Sequence, residues 1–247
     1  YRQIVASISD SLDFFEAISG SRVHEVNRAP FYASHEALHL HYEQAQTRFI
    51  ERQERWYNLS THLPWIGMRT ADLGGAHVEF CRGISNPVGV KIGPTMDAKW
   101  VQGLCEVLNP GCEPGRLVLI HRMGAQAVEE RLPLLVEAVR TTGIPVLWVC
   151  DPMHGNTEST SSGVKTRRFE NIVTELDKSF RIHRELGTHL GGVHFELTGE
   201  DVTECIGGAR GLVEGDLARA YRTQVDPRLN YEQALELAMR IAANARS

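Results

Sequence analysis

The feature that most constrains the fold is an alternation of short apolar runs with longer amphipathic stretches. Apolar runs rich in β-branched and aromatic residues, bounded by turn residues, are typical of strands buried in a parallel sheet. Six strand candidates lie near residues 30, 88, 118, 147, 195 and 224. Helical spacing fills most of the stretches between them, so the alternation indicates βαβ units and an α/β fold.

The length of the chain sets the number of domains that we expect. At 247 residues, one domain is sufficient, and α/β barrels often reach this size. No internal repeat and no low-complexity linker divides the sequence. We therefore predict a single domain over residues 1–247, in which helical segments at 1–28 and 35–54 flank an early strand.

Composition argues against two classes of partner. The formal net charge is -5 and the Lys and Arg residues form no basic block, which argues against nucleic-acid binding. No window approaches the roughly 18–20 apolar residues of a membrane span, and no signal peptide is visible. The five cysteines lack a C-x-x-C spacing, which fits a reducing compartment. We expect a cytoplasmic protein, and because the sequence begins at Tyr1 we expect a piece of a longer one.

Chemically useful side chains follow the predicted strands. In α/β barrels and open α/β sheets, reacting groups lie beyond the carboxyl ends of the strands. The run of residues 144–149 stops at Asp151-Pro152, and His154 follows on a Gly-Asn turn. Lys91 ends another strand, where an unpaired buried charge would cost several kcal/mol, and Arg122 ends the next. These positions make the strand ends a candidate site.

Two carboxylates and an arginine extend this group. Glu196 and His194 share one face of a predicted strand because side chains two residues apart point the same way, and Asp226 ends the last extended stretch. An imidazole with two carboxylates suits Mn²⁺, Fe²⁺, Zn²⁺ or Co²⁺. Lys and Arg side chains, with Arg69 in a loop, suit phosphate and carboxylate groups. Two interpretations stay open: a metal-dependent enzyme on small anionic metabolites, or a plain α/β domain with ion pairs at its strand ends.

Nine short motifs carry a resemblance to a known family. They are W-I-G-x-R-T from Trp65, G-A-H from Gly75, N-P-V-G-V-K from Asn86, P-G-R-L from Pro114, R-M-G from Arg122, C-D-P-M-H-G-N-T from Cys150, K-T-R from Lys165, T-G-E-D-V-T-E-C from Thr198 and D-P-R-L-N from Asp226. From about Phe31 to the carboxyl end, the chain resembles the type II (plant and microbial) 3-deoxy-D-arabino-heptulosonate 7-phosphate (DAHP) synthases. The motifs keep the family's order and spacing, which makes the resemblance specific.

The resemblance implies a (β/α)₈ TIM barrel, of which about six strands would lie in this chain and the first two would precede it. It implies an enzyme, a 3-deoxy-7-phosphoheptulonate synthase, that condenses phosphoenolpyruvate with erythrose 4-phosphate in the first step of the shikimate pathway. The implied cofactor is Mn²⁺, with Co²⁺ second, and the implied assembly is a homo-dimer or homo-tetramer. The implied metal ligands are His154, Glu196 and Asp226. The implied substrate-binding residues are Met68, Arg69, Lys91 and Arg122, with Lys91 and His154 as the catalytic pair.

Two departures from the family pattern keep alternatives open. The family has an acidic residue where this chain has Met68, and its metal-binding cysteine, a further arginine and its Lys-Pro-Arg-Ser phosphate loop do not occur here. Cys81 and Cys150 are interpreted as small buried hydrophobic residues rather than substitute ligands. One alternative is an amino-sugar (aminoDAHP) enzyme of phenazine or antibiotic biosynthesis with the same chemistry. The other is a truncated, non-catalytic homologue that binds a partner synthase.

Overall fold

The structure is a computed structural model that describes residues 2–20 and 30–245. The chain divides into two compact units, Tyr1–Ala33 and Ser34–Ser247. The first unit contains helix α1 (Arg2–Ser19), where the spacing of apolar residues predicted a helix. The rest of the predicted segment 1–28 lies outside the described residues.

Ten strands and seven α-helices occur in the described part of the chain. The strands are β1 (Ser34–Glu36), β2 (Thr47–Ile50), β3 (Arg55–Asn58), β4 (Leu63–Ile66), β5 (Val88–Ile92), β6 (Leu117–His121), β7 (Leu147–Cys150), β8 (Thr157–Ser159), β9 (Lys165–Arg167) and β10 (Leu190–Val193). The helices after α1 are α2 (Leu40–Gln46), α3 (Ala76–Gly83), α4 (Ala98–Leu108), α5 (Val128–Thr142), α6 (Phe169–Glu185) and α7 (Tyr231–Asn244). None of the described helices combines the length and the apolar character that crossing a bilayer requires.

Six strands form one parallel sheet in the order β1-β4-β5-β6-β7-β10. Each strand of this sheet lies beside the one that precedes it along the chain, and helices α3, α4, α5 and α6 connect the strands from β4 to β10. A sheet that always adds its next strand on the same side is wound as in a (β/α)₈ barrel. The prediction of an α/β barrel-type fold with about six strands is confirmed.

Alternate side chains of a strand point to opposite faces of this sheet, so that one set packs in the hydrophobic core and the other can reach the cleft. Val88, Val90 and Ile92 of β5 are buried in the hydrophobic core, whereas Lys91 between them lines a cleft. This is the two-residue period of a strand. Helix α5 covers the core and ends at Gly143, whose φ of 67° lies in the left-handed region that favours glycine.

Of the six predicted strands, those near residues 30 and 195 lie a few residues away, at β1 and β10, and the one near residue 224 does not form a strand. The six-stranded sheet includes β4, which was not among the predicted strands, but it does not include residues 221–228. In that stretch, the main-chain N–H groups of Arg222, Thr223 and Arg228 donate to the carboxylate of Glu204 instead of to a neighbouring strand. The strand predicted near residue 195 is β10, which ends at Val193, so His194 and Glu196 lie just beyond the strand rather than on it.

The predicted helix over 35–54 is correct only for Leu40–Gln46, because residues 35 and 36 belong to β1 and residues 47–50 form β2. Helix α2 ends at Gln46, and β2 then pairs antiparallel with β3. Phe49 and Trp56 face each other across this hairpin with their ring centroids 5.5 Å apart. Aromatic cross-strand pairs of this kind stabilise a hairpin, and β-branched residues such as Thr47 and Ile50 favour a strand.

Candidate active site

A cleft of about 480 Å³ opens where strands β4 to β7 end. The cleft brings together all of the site residues that the sequence predicted, namely Met68, Arg69, Lys91, Arg122, His154, Glu196 and Asp226. Glu36, Trp65, Gly67, Thr157 and Lys165 complete the lining. Residues from far-apart parts of the chain thus meet at the edge where the strand-end rule placed them.

His154, Glu196 and Asp226 form a group that suits a divalent cation. One ligand atom from each of the three lies within 4.8 Å of the others. The His154 Nε2 atom is 3.2 Å from a Glu196 oxygen and 4.0 Å from an Asp226 oxygen. The three side chains are 24–31% exposed, so the cleft reaches them. One imidazole and two carboxylates fit Mn²⁺ and similar ions and leave positions for substrate or water.

Asp151 contacts both the imidazole of His154 and the ammonium group of Lys91. Its fully buried carboxylate accepts a hydrogen bond from His154 Nδ1 at 2.7 Å and forms an ion pair with Lys91 Nζ. Burial alone would raise the pKa of Asp151, but the His154 hydrogen bond and the Lys91 charge outweigh it and hold this pKa well below its usual value. Sequence reasoning treated Asp151 only as a strand stop. The sequence does contain one signal for this contact, because Asp151 lies only three residues before His154.

The two acids hold His154 as an imidazolium in the protein alone. Burial would lower the pKa of His154, but the hydrogen bonds to Asp151 and Glu196 and the charges of both acids raise it to about 9. Because Asp151 occupies Nδ1, the Nε2 atom faces Glu196 and Asp226. This orientation leaves Nε2 as the atom that a metal would take.

Arg167 supports the carboxylate side of the group. Its fully buried guanidinium donates to Glu196 Oε2 at 2.5 Å and to the carbonyl oxygen of Pro227 at 2.5 Å, next to Asp226. Burial would raise the pKa of Glu196, but the His154 hydrogen bond and the Arg167 charge lower it to about 2. The sequence contained Arg167 in a family motif, yet it gave no indication that the side chain would contact Glu196.

The cations lie beside this group. Lys91 is only 3% exposed, and burial lowers its pKa even though Asp151 opposes the shift. Its Nζ atom lies 5.1 Å from the centroid of the Trp65 ring, in cation–π range. Arg122 donates to the carbonyl oxygen of His154, and Arg69 is exposed on the short 3₁₀ turn Met68–Thr70. Lys165 also lines the cleft, where its Nζ atom donates to Asp226 Oδ1 at 3.1 Å. The cleft therefore presents four cations next to three potential metal ligands.

Met68 occupies the position at which the family pattern has an acid. Its Sδ atom lies 3.4 Å from Arg122 Nη1, and it packs so closely on Gly93 that a Cβ there would come within 2.2 Å of the sulfur. A thioether is neutral, so Met68 fills space beside the guanidinium without offsetting its charge. A nearby acid that sequence reasoning missed is Glu36 of β1, which contacts Gly67 and lines the cleft.

A second group of potential ligands lies in the helix-side layer. His121, Cys150 and Glu175 are fully buried and within 4.8 Å of one another. Burial raises the pKa of the Cys150 thiol well above its usual value, and burial with the neighbouring His183 lowers that of His121 to about 3. A neutral thiol at Cys150 and a neutral imidazole at His121 suit a packed core. The interpretation of Cys81 and Cys150 as buried hydrophobic residues agrees with their zero exposure.

Comparison with known proteins places the chain in a family. The model of the class-II DAHP synthetase family matches residues 1–242, so the chain belongs to that family. It is 47% identical, over 98% of its length, to the phospho-2-dehydro-3-deoxyheptonate aldolase of Streptomyces coelicolor, of which it covers 54%. It is also 47% identical, over 98% of its length, to phospho-2-dehydro-3-deoxyheptonate aldolase AroG of Mycolicibacterium smegmatis, of which it covers 53%. The chain thus spans about half the length of these curated relatives.

A solved structure with the same name also shows similarity. It is the phospho-2-dehydro-3-deoxyheptonate aldolase of Francisella tularensis, which is 16% identical to this chain, with a TM-score of 0.48. The alignment covers 75% of this chain and 55% of that one.

Proposed function

We propose that the protein catalyses the metal-dependent condensation of phosphoenolpyruvate with erythrose 4-phosphate to DAHP and phosphate. The observation that carries the proposal is the cleft in which His154, Glu196 and Asp226 lie beside Lys91 and Arg122. The name shared by the relatives supports the same reaction. The reaction needs a polarised aldehyde and a bound enol phosphate that carries both a carboxylate and a phosphate. The three potential metal ligands suit the first task, and the neighbouring cations suit the second.

The proposed metal ligands are His154, Glu196 and Asp226, with Mn²⁺ preferred over Co²⁺ because two of the three donors are carboxylates. A bound divalent ion would act as a Lewis acid on the aldehyde of erythrose 4-phosphate. Asp151 fixes the tautomer of His154 through Nδ1, and Arg167 fixes the position of Glu196. Both supporting contacts exist in the protein itself, so the ligand set is preorganised.

Lys91, Arg122 and Arg69 are the proposed binding groups for phosphoenolpyruvate. Guanidinium groups bind carboxylate and phosphate with two parallel hydrogen bonds, and Lys91 adds a point charge. As C3 of phosphoenolpyruvate attacks the aldehyde carbon, positive charge develops at C2, water adds there, and phosphate leaves. Lys91 and Arg122 then hold the departing phosphate and offset its charge. Met68 lines the same side of the cleft as a neutral contact.

The setting of this activity is also proposed. The reaction supplies a primary biosynthetic pathway, which fits a cytoplasmic protein. The strands β1 and β10 lie at the edges of the sheet, where they could pair with strands of another chain, and this fits a homo-oligomer. An aminoDAHP-type substrate would use the same residues for phosphoenolpyruvate and the metal. The retention of paired, costly charges in the cleft favours a catalyst over a non-catalytic homologue.

The test is phosphate release from phosphoenolpyruvate by the chelator-treated protein, with Mn²⁺ and erythrose 4-phosphate added separately and together. We expect release only when both are present. The His154→Ala variant should lose this release with little change in fold, while the exposed Glu185→Gln variant should keep it. Binding of both Mn²⁺ and phosphoenolpyruvate without turnover would point instead to the non-catalytic homologue, and binding of neither would refute the site.

A further inference from the structure

The two loops that carry Arg122 and His154 are packed directly against each other. We call residues 122–125, after β6, the Arg122 loop, and residues 152–156, after β7, the His154 loop. A Cβ atom on Gly155 would lie 2.4 Å from the main-chain nitrogen of Gly124. Gly124 itself has a φ of +86°, which an L side chain rarely adopts. Arg122 also donates to the carbonyl oxygen of His154, so the two loops touch through main chain and side chain.

One buried carboxylate from a third element binds both loops. Glu175 of helix α6 is fully buried, and its Oε1 atom accepts a hydrogen bond from the Met123 N–H at 2.7 Å. Its Oε2 atom accepts one from Asn156 Nδ2, also at 2.7 Å. Asn156 in turn accepts from the N–H of Ala125 at 2.9 Å, which closes a ring of hydrogen bonds between the loops.

We propose that Glu175 is a positioning residue that sets the Arg122 loop and the His154 loop in one arrangement, and that it thereby supports phosphoenolpyruvate binding and metal binding together. The proposal rests on the proposed function, because it uses the roles assigned there to Arg122 and His154. Glu175 touches neither of these side chains and lines no part of the cleft. It acts through Met123 and Asn156, which are covalently tied to the two loops.

The chemistry of the contacts explains why a carboxylate is needed. Each oxygen of Glu175 accepts from an N–H donor, so both positions require an acceptor. Glutamine has the same shape but offers one oxygen and one NH₂ group. In Glu175→Gln, one donor must therefore face another donor, either at Met123 or at Asn156, in a site closed to water. The loop that loses its acceptor is expected to move, and the packing of Gly124 on Gly155 transmits that movement to the other loop.

The test measures the two affinities separately, each without the other ligand. Mn²⁺ binding is titrated in the absence of phosphoenolpyruvate, and phosphoenolpyruvate binding is titrated in the absence of metal. Loss of a partner that orients a metal ligand typically costs about 10–100-fold in metal affinity. On this basis, we expect Glu175→Gln to weaken Mn²⁺ binding by about tenfold or more, and to weaken phosphoenolpyruvate binding measurably as well. Glu185→Gln, an exposed change on the same helix, is the matched control and should shift neither affinity.

Thermal melting of each variant separates positioning from a general contribution to stability. A purely structural role would lower the melting temperature but leave both affinities of the folded protein unchanged, and that result would overturn the proposal. Loss of only one affinity would also overturn it, because Glu175 would then support a single loop. If Glu175→Gln does not fold, Asn156→Asp, which sets two carboxylates against each other at the same contact, is judged by the same criterion. A wild-type protein that binds neither ligand would refute the proposed function, and this proposal with it; binding with unchanged variant affinities refutes this proposal alone.

Discussion

Metal binding should release a proton from His154, and its affinity should depend on pH accordingly. In the protein alone, the imidazole lies between Asp151 at 2.7 Å and Glu196 at 3.2 Å, and its pKa is raised to about 9. A metal can bind Nε2 only after the proton on that atom has left. Below pH 9 the proton therefore competes with the metal, and above it the competition ends.

The magnitude follows from the raised pKa. For a group with a pKa of about 9, each pH unit below that value reduces the apparent metal affinity about tenfold. Between pH 6.5 and 8.5, the affinity for Mn²⁺ should therefore rise by roughly 100-fold. About one proton should be released per metal bound at pH 7, because Glu196, with a pKa lowered to about 2, is already ionised.

Two measurements check this prediction. Mn²⁺ is titrated against the protein at several pH values by electron paramagnetic resonance, which counts the free ion. Calorimetric titrations in buffers of different ionisation enthalpy then count the protons released. An affinity that is constant between pH 6.5 and 8.5, with no proton release, would refute either the assignment of His154 as a ligand or its imidazolium state. The His154→Asn variant serves as the control, because it should bind weakly and lose the proton release.

Three further predictions concern stability. Asp151→Asn should lower the free energy of unfolding by about 3–5 kcal/mol, because it leaves the buried charge of Lys91 without its anion; an unchanged urea midpoint would contradict the ion pair. His121 has a pKa lowered to about 3, below its unfolded value of 6.5, so its contribution to stability is complete above pH 6.5 and is lost as the pH falls. Relative to His121→Phe, wild type should therefore lose about 1.4 kcal/mol more per pH unit between pH 6 and 4, and parallel acid-unfolding curves would disprove this. Gly124→Ala should cost about 1–3 kcal/mol because of its φ of +86°, as measured by denaturant unfolding, and no loss would contradict the backbone conformation.

The sequence predicted those parts of the fold that depend on local pattern. Strands β5, β6 and β7 are short apolar runs that end in a turn or a charged residue, and each lies where the pattern placed it. Strand β4 and the hairpin of β2 and β3 were missed because a proline and a polar, Glu- and Gln-rich context obscured them. In both cases, pairing with another strand decides the conformation. The intrinsic conformational preference of a segment contains no information about the strand with which it will pair.

The residues that support the site were missed for the same physical reason. Lys91, Arg122 and His154 lie at or just beyond the ends of β5, β6 and β7 and could be located from that position alone, whereas their partners are defined by contacts across the fold. Lys91 and Asp151 are 60 residues apart in sequence, and Arg167 is 29 residues from Glu196. Nothing local in the sequence distinguishes a buried arginine of this kind from an exposed one.

The arrangement around Asp151 links the two halves of the proposed chemistry. One carboxylate is shared between Lys91, assigned to phosphoenolpyruvate, and His154, assigned to the metal. A divalent metal on His154 Nε2 would bring its own positive charge in place of the proton, so Asp151 would still face a cationic group at His154 as well as Lys91. When an anionic substrate approaches Lys91, it competes with Asp151 for the same ammonium group. The occupancy of each half therefore changes the charge that the other half feels, and this coupling acts through a residue that touches neither ligand.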